Sequence, residues 1–366
     1  MDKWMQYFHQ YLEKQFPVFL QEKPWNYKDD LCMVGAYDLY EATGEEAFLS
    51  PIRSAAPYLV SPDGEIKGFS SGEHNIDKVS FGKSLRILDK VTGEKVYRDA
   101  WERVFDNLSD YPRTETGNFW HKDIYPHQVW LDGLYMGQPF YASCLDCGKE
   151  EGFRDILEQF TQADRLLWNE ELGLYMHACD CSRQMDWADP VTGKSPCVWL
   201  RAEGWFLMAL CDTYEILREK KVGADVLKEL LQKAIEGLLP YRQENGLFLQ
   251  LVDKADEEGN YAETSGSAMV AYALLKGARL GMLPAEYGAI GADILSCLEK
   301  VYLREEEDGL HLYGICASAG LGPGPDNRTD RDGSVAYYLS EKQMRDNQHG
   351  SGACMMAVSE LLRYKK

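Results

Sequence analysis

The sequence predicts an all-α protein, a double-layered helical toroid of the (α/α)6 barrel type with short β-hairpins in its rim loops. Three observations predict this fold: sequence elements recur at intervals of about sixty residues, helical patterns are of two kinds, and no linker divides the chain. The loop richest in Gly and Pro, residues 318–333, is followed by only about thirty residues, too few for a separate domain. Residues 1–366 are therefore expected to form one domain.

Two elements recur along the chain. Residues 39–45 (LYEATGE) reappear as residues 88–94 (LDKVTGE), and each pattern is typical of a helix that ends in a glycine cap. A short Gly-Leu-aromatic element begins near Gly117, Gly173, Gly246 and Gly309 and favours small hairpins between helices. Units of about sixty residues would give about six units in this chain.

The helical patterns differ in how much of their surface is apolar. Residues 225–239 carry one apolar stripe and one charged face, which is typical of a helix with one side in water. Residues 204–211 and 267–275 are apolar nearly all round, so they must be surrounded by protein. Six units with one inner and one outer helix each describe the toroid, whose inner helices converge on a central cavity.

Charge and hydropathy exclude several classes of partner. The chain has 39 Lys and Arg against 59 Asp and Glu, a net charge of −20, and such a surface repels nucleic acids and anionic lipids. No segment is apolar and long enough to span a bilayer, and the N-terminal residues lack the apolar centre of a secretory signal. We therefore expect a cytoplasmic protein with no nucleic-acid or membrane partner.

The ten cysteines are expected to be reduced thiols. A zinc site made of the two close pairs Cys144 with Cys147 and Cys179 with Cys181 is the alternative, and the unusual second spacing makes it the less favoured one. No phosphate-binding glycine loop, nucleophile elbow or HExxH motif occurs. The sequence thus predicts neither a metal nor an organic cofactor.

The densest polar and aromatic stretch is residues 118–136 (NFWHKDIYPHQVWLDGLYM). Pro126 suits the first turn of a helix, on which Gln128, Asp132 and Tyr135 would share one face. Burial on that helix would raise the pKa of Asp132 toward neutrality, as a proton donor requires. A structural Asp bonded to amides or cations is an equally good interpretation.

A second carboxylate, Asp77, comes just before another apolar helix pattern. It could cap that helix, or it could approach Asp132 in the shared cavity and keep one of the two carboxyl groups protonated by like-charge repulsion. Paired carboxylates suggest sugar chemistry.

Residues 199–205 (WLRAEGW) place a guanidinium between two indoles at the start of an inner helix. Arg201 could bind a carboxylate while Trp199 and Trp205 stack on a sugar ring; an Arg–Glu ion pair in a tryptophan-lined core is as good an explanation.

These motifs together resemble glycoside hydrolase family 105, the unsaturated rhamnogalacturonyl hydrolases. The resemblance is carried by residues 120–122 (WHK), 125–126 (YP), 130–136 (WLDGLYM) and 139–140 (PF). Further agreement comes from residues 25–27, 41–44, 75–77, 199–205, 263–265 and 331–341, so it spans nearly the whole chain.

The resemblance implies an (α/α)6 barrel enzyme that hydrates the vinyl ether of a 4,5-unsaturated galacturonyl residue linked to rhamnose, without a cofactor. Asp132 would protonate C4 and assist the addition of water at C5, and Asp77 would orient ring hydroxyls or hold the water. Arg201 would neutralise the substrate carboxylate, and no role is assigned to Glu203. The residues expected to bind substrate are Trp25, Tyr40, His121, Gln128, Tyr135, His177, Trp199, Arg201 and Trp205.

Three other functions remain open at this point. An unsaturated glucuronyl hydrolase of family 88 would act on glycosaminoglycan fragments by the same chemistry. An epimerase of the N-acylglucosamine type would use His177 as a base, and a sugar-binding toroid would lack catalysis. The sequence does not indicate the oligomeric state.

Overall fold

Helices of two layers alternate along the chain in the computed structural model, which describes residues 1–146, 149–323 and 328–365. The helices are α1 Asp2–Gln10, α2 Phe16–Glu22, α3 Tyr27–Thr43, α4 Leu49–Leu59, α5 Ile76–Val79, α6 Phe81–Thr92, α7 Lys95–Asp106, α8 Leu131–Cys144, α9 Glu150–Leu167, α10 Leu200–Glu219, α11 Asp225–Leu238, α12 Thr264–Leu280, α13 Glu286–Tyr302, α14 Val335–Ser340 and α15 Gln348–Tyr364. The strands are β1 Gln128–Trp130, β2 Trp168–Asn169, β3 Leu174–Tyr175, β4 Ala178–Asp180, β5 Leu303–Glu306 and β6 Gly309–Leu312.

The inner ring consists of α3, α6, α8, α10, α12 and α15, and it closes because α15 packs on α3. The outer layer consists of α1 with α2, α4, α7, α9, α11 and α13. The prediction of an (α/α)6 barrel is therefore confirmed, as is the assignment of α10 and α12 to the inside and of α11 to the outside. Inner helices approach closely where one of them carries a glycine. A Cβ added to Gly204 of α10 would lie only 2.7 Å from the Cβ of Met269 on α12.

All six inner helices begin at the same end of the barrel. At that end Gln348 of α15 bonds Asp29 of α3, and Arg201 of α10 bonds Ser265 of α12. Leu131, the first residue of α8, donates its N–H to the carbonyl of His177. Since peptide N–H groups without helical partners collect at helix N-termini, this end carries positive partial charge.

Buried ion pairs join the inner helices at the opposite end. Glu360 of α15 accepts from Arg279 of α12 at 2.6 and 2.9 Å and from Arg363 at 2.7 Å. Lys276 of α12 lies 2.7 Å from both Asp212 and Glu215 of α10. The predicted glycine caps also lie at this end: α3 and α6 stop at glycines with φ of 77° and 72°.

In the part of the chain that the structure describes, the strands form three two-stranded antiparallel ladders, β1 with β4, β2 with β3 and β5 with β6. The predicted hairpins occur at Gly173 and Gly309, whereas the elements at Gly117 and Gly246 form single bridges. The predicted helix start at Pro126 is wrong. Residues 128–130 pair with β4 instead, and α8 begins only at Leu131, because a partner strand fifty residues later outweighs the local helix signal.

The thiols proposed as an alternative zinc site are far apart. Cys144 ends α8, whereas Cys179 lies in β4 beside the start of that helix. The length of α8 separates them by about 20 Å. Cys147 lies outside the described residues, so only this separation argues against the site. Within the described ranges, no helix has the length and apolar character needed to cross a bilayer.

Candidate active site

Asp132 lies in the first turn of α8, and its carboxylate faces a histidine. Its Oδ2 lies 3.2 Å from Nε2 of His177, which precedes β4. The other ring nitrogen of His177, Nδ1, lies 2.6 Å from the hydroxyl of Tyr338 on α14. His177 is fully buried, while 14% of the Asp132 side chain is exposed, so one carboxylate edge is open to a ligand.

The charge environment of Asp132 differs from the one predicted from sequence. Burial raises the pKa of this carboxyl group, but the neighbouring His177 and His121 and the backbone at the start of α8 outweigh burial, and the pKa lies below its ordinary value. The expected rise toward neutrality is therefore wrong for the ligand-free protein. The sequence indicates that Asp132 lies on an apolar helix, but it does not indicate that His177, 45 residues later, lies against the carboxylate.

Asp77 lies on the short helix α5 and does not cap it. Asn75 fills that position by accepting from the N–H of Asp77, and no side chain of the described residues caps the apolar helix α6 that follows, so the capping alternative is excluded. The Asp77 carboxylate accepts from Nζ of Lys122 at 2.6 Å and keeps 15% of its side chain exposed. Sequence reasoning quoted Lys122 within the motif but assigned it no role.

His121 connects the two aspartates electrostatically. Its Nε2 lies 3.8 Å from Oδ1 of Asp77, and the charges of both Asp77 and Asp132 act on it. Burial nevertheless lowers its pKa to about 4, so the ring is neutral near pH 7.

Trp130 forms the aromatic wall beside these groups. Its indole stacks parallel on His121 with 4.4 Å between ring centroids and meets His177 edge-on at 5.1 Å. Gln128 accepts from the indole N–H at 2.9 Å, so its amide orients Trp130 and does not share a helix face with Asp132. Trp199 contacts the other side of His177 at 4.8 Å. Sequence analysis missed the role of Trp130.

Arg201 is buried at the start of α10, and part of its guanidinium is committed to the protein. Nη1 donates to the carbonyl of Cys316 at 2.6 Å and to Ser265 at 3.2 Å, and it lies 3.9 Å from Glu263. The guanidinium carbon lies 4.6 Å from the ring centroid of Trp199. Within the described ranges Nε has no hydrogen-bond partner, so donor capacity remains for an anion.

The deeper part of the barrel near these groups is aromatic. Trp205 stacks on Tyr135 at 4.8 Å and meets Tyr27 edge-on at 6.3 Å. The hydroxyl of Tyr27 lies 3.1 Å from Nε2 of His349, whose pKa burial and the charge of Arg201 hold well below its ordinary value. Sequence analysis quoted Tyr27 within residues 25–27 but gave it no role, and it did not single out His349, which lies beside Gly350 in the first turn of α15.

Comparison with known proteins agrees with this geometry. The model of Glycosyl Hydrolase Family 88 matches residues 1–365. A solved family 105 glycoside hydrolase of C. acetobutylicum is 37% identical, with a TM-score of 0.90 over 96% of this chain and 98% of that one. The chain belongs to glycoside hydrolase family 88/105. It is therefore a glycoside hydrolase of the unsaturated uronyl type.

Two curated relatives of this family 88/105 enzyme add detail. Protein Atu3128 of Agrobacterium fabrum is 41% identical over 62% of this chain and 98% of its own length. The unsaturated rhamnogalacturonyl hydrolase YesR of Bacillus subtilis is 27% identical over 72% of this chain and 74% of its own length.

Three residues considered from sequence lie outside the site of the family 88/105 enzyme. Tyr40 is thirteen residues after Tyr27 on α3, about 20 Å along the helix toward the opposite end of the barrel, which corrects its assignment to substrate binding. Trp25 is 4% exposed, and its indole donates to Asp30 at 2.9 Å, so it supports the start of α3. Glu203 is fully buried and accepts from the N–H of Tyr175.

One group of potential metal ligands occurs in the described ranges, Glu306, Asp308 and His311 on the β5–β6 hairpin. These side chains already have partners: His311 lies 2.9 Å from Asp308 and 2.5 Å from Asp346, and Glu306 lies 3.1 Å from Arg345. The group does not include any of the residues around Asp132.

Proposed function

We propose that this enzyme removes the 4,5-unsaturated galacturonyl residue from the non-reducing end of rhamnogalacturonan oligosaccharides. The observation that carries the proposal is the pair of partly exposed carboxylates, Asp132 against His177 and Asp77 against Lys122, where the inner helices begin. The likeness to YesR supports the choice of rhamnogalacturonan.

The alkene of this substrate is activated by the ring oxygen, so the first step is proton transfer to carbon. Asp132 donates its proton to C4, and the positive charge develops at C5 beside the ring oxygen. A water molecule adds to C5 and gives a proton back to Asp132, which is thereby restored. The resulting hemiketal opens to a ketone, and the hemiacetal left at C1 releases the neighbouring sugar.

Asp132 must gain a proton before this step, although its pKa is low in the ligand-free protein. The substrate supplies the change, since its carboxylate adds negative charge and its ring excludes water, and both effects raise the pKa of a nearby carboxyl group. The proton donor is therefore formed on binding rather than held in advance.

The remaining residues would bind and orient the sugar. Arg201 would receive the substrate carboxylate through its unpartnered Nε, aided by the helix N-termini around it. Asp77, held by Lys122, would accept from ring hydroxyls or from the attacking water. Trp199 packs between Arg201 and His177 and would hold both in place, while Tyr135 and Trp205 support the aromatic wall.

Loss of the near-ultraviolet absorbance of the alkene measures the reaction directly. We expect the wild type to consume an unsaturated rhamnogalacturonan disaccharide faster than an unsaturated glycosaminoglycan disaccharide; the reverse order would overturn the substrate choice. Asp132→Asn should lower kcat by at least about a thousandfold and Asp77→Asn by at least about tenfold. Asp186→Asn, which removes an exposed aspartate, is the control and should leave kcat unchanged.

The outcomes separate the alternatives. Activity retained in Asp132→Asn would refute the role of Asp132, and unchanged kinetics in Asp77→Asn would refute the role of Asp77. Binding of both disaccharides without loss of absorbance would indicate a sugar-binding toroid instead.

A further inference from the structure

His177 has a second polar contact, on the side of its ring that faces away from Asp132. The hydroxyl of Tyr338 lies 2.6 Å from Nδ1 of His177, on the side of the ring opposite Asp132. Tyr338 is fully buried on α14, where Gln250 donates to its backbone carbonyl at 2.6 Å. Burial of the ring and the hydrogen bond from Gln250 to the backbone therefore hold Tyr338 in place independently of its hydroxyl.

The hydrogen-bonding capacity of the two side chains determines where the protons lie. A tyrosine hydroxyl has one proton to donate, and in the described ranges His177 is the partner within hydrogen-bond distance of Tyr338. Burial raises the pKa of Tyr338 well above its ordinary value, so the hydroxyl keeps this proton. If Nδ1 also carried a proton, the two hydrogens would point at each other or the hydroxyl proton would have no acceptor.

The surroundings of the other ring nitrogen, Nε2, agree with a proton on Nε2 and none on Nδ1. Nε2 lies 3.2 Å from Oδ2 of Asp132, close enough for an ion pair but not aligned as a hydrogen bond, and an ionised carboxylate accepts hydrogen bonds but has none to donate. Titratable or charged groups near Asp132 include His121 from the loop before β1, Arg201 from α10 and Tyr27 from α3, while Cys197, Cys316 and Tyr337 act on Tyr338.

We propose that Tyr338 is a positioning residue that donates to Nδ1 of His177 and thereby keeps the ring proton of His177 on Nε2. Nε2–H then faces Oδ2 of Asp132, so a proton arriving on this carboxyl group resides on Oδ1, the oxygen left for the substrate. With the other tautomer, the carboxyl proton would bond to Nε2 and be withheld from carbon. The proposal rests on the proposed function only in assigning the chemistry to Asp132.

The first test measures the tautomer without using activity. In protein labelled with nitrogen-15 at histidine, two-bond correlation spectra distinguish a ring protonated at Nε2 from one protonated at Nδ1. The His177 signals are assigned by their disappearance in His177→Gln. We expect the Nε2–H tautomer of His177 at pH 7, and a spectrum with the proton on Nδ1 would overturn the proposal.

The second test uses Tyr338→Phe, which keeps the ring and removes the hydroxyl. We expect kcat to fall roughly tenfold, the worth of about one hydrogen bond, with KM within about twofold of the wild type. Its His177 spectrum should show a mixture of tautomers. Tyr337→Phe is the matched control: its hydroxyl bonds the N–H of Gly320 and Glu341, so kcat and the His177 spectrum should not change.

The kinetic test uses whichever unsaturated disaccharide the wild type consumes. A Tyr338→Phe variant with unchanged kcat and an unchanged His177 spectrum would refute the positioning role. If the wild type consumes neither disaccharide, the proposed function fails, while the tautomer measurement still decides whether Tyr338 donates to His177.

Discussion

Replacement of Glu203 by Gln should make the enzyme more stable at neutral pH. Glu203 is fully buried in the first turn of α10. Among the described residues, its Oε1 accepts from the N–H of Tyr175 at 2.6 Å and its Oε2 has no hydrogen-bond partner. Burial raises its pKa from the ordinary value of 4.5 to about 8, while the N–H of Tyr175 acts in the opposite direction. The carboxyl group is therefore protonated in the folded protein near pH 7.

The size of the effect on the free energy of unfolding follows from the difference between the pKa of Glu203 in the folded and the unfolded state. Below pH 4.5 both states hold the proton, so the carboxyl group adds no pH dependence. Between pH 4.5 and 8 only the unfolded state ionises, and the free energy of unfolding falls by about 1.4 kcal/mol per pH unit. By pH 7 the loss amounts to about 3 kcal/mol, which a neutral glutamine does not incur.

Urea unfolding followed by tryptophan fluorescence at pH 5 and pH 8 measures this difference. We expect Glu203→Gln and the wild type to lie within about 1 kcal/mol of each other at pH 5, and the variant to gain steadily up to pH 8. Glu158→Gln, at an exposed position on α9, is the control and should track the wild type at both values. A constant difference between Glu203→Gln and the wild type at both pH values would refute the assignment of a buried neutral carboxyl group.

Two further predictions concern the reaction and the far end of the barrel. Because the pKa of Asp132 is low in the free enzyme, kcat/KM should fall as pH rises from about 5 to 8, and initial rates of alkene loss that stay level over this range would contradict proton donation by Asp132. Glu360→Gln removes the charge between Arg279 and Arg363 and should cost roughly 3 to 5 kcal/mol in urea unfolding. A cost below about 1 kcal/mol would show that these buried pairs do not hold the inner helices together.

The fold could be predicted because its signals are local. The apolar surface of α10 and α12 and the single stripe of α11 each lie within one helix, and together they require two layers. The β1 strand could not be predicted in the same way, since its partner β4 lies about fifty residues later and Pro126 favours a helix. The sequence also does not indicate which end of an inner helix lies at the site, so it predicts a substrate-binding role for Tyr40, which lies toward the opposite end of the barrel.

The sequence predicts the two aspartates of the candidate site but not the groups around them, because those groups come from distant segments. Asp132 and Asp77 stand in specific motifs, so the resemblance identified them without any knowledge of their neighbours. The groups that set their charge come from distant segments: His177 lies against Asp132, and Tyr338 lies behind His177. An ion pair of Arg201 was anticipated, but its acidic neighbour is Glu263, 62 residues away, rather than Glu203 on the same helix.

The acidic protein and its anionic substrate are compatible because the charges act over different distances. The net charge of −20 is screened over roughly 8 Å in physiological salt, whereas the inner-helix N-termini, Lys122 and Arg201 act at contact distance. The same positive field helps to keep Asp132 ionised before binding. In the proposed mechanism, a substrate carboxylate neutralises this field and Asp132 regains its affinity for a proton, so recognition of the acidic sugar and formation of the proton donor would be one electrostatic event.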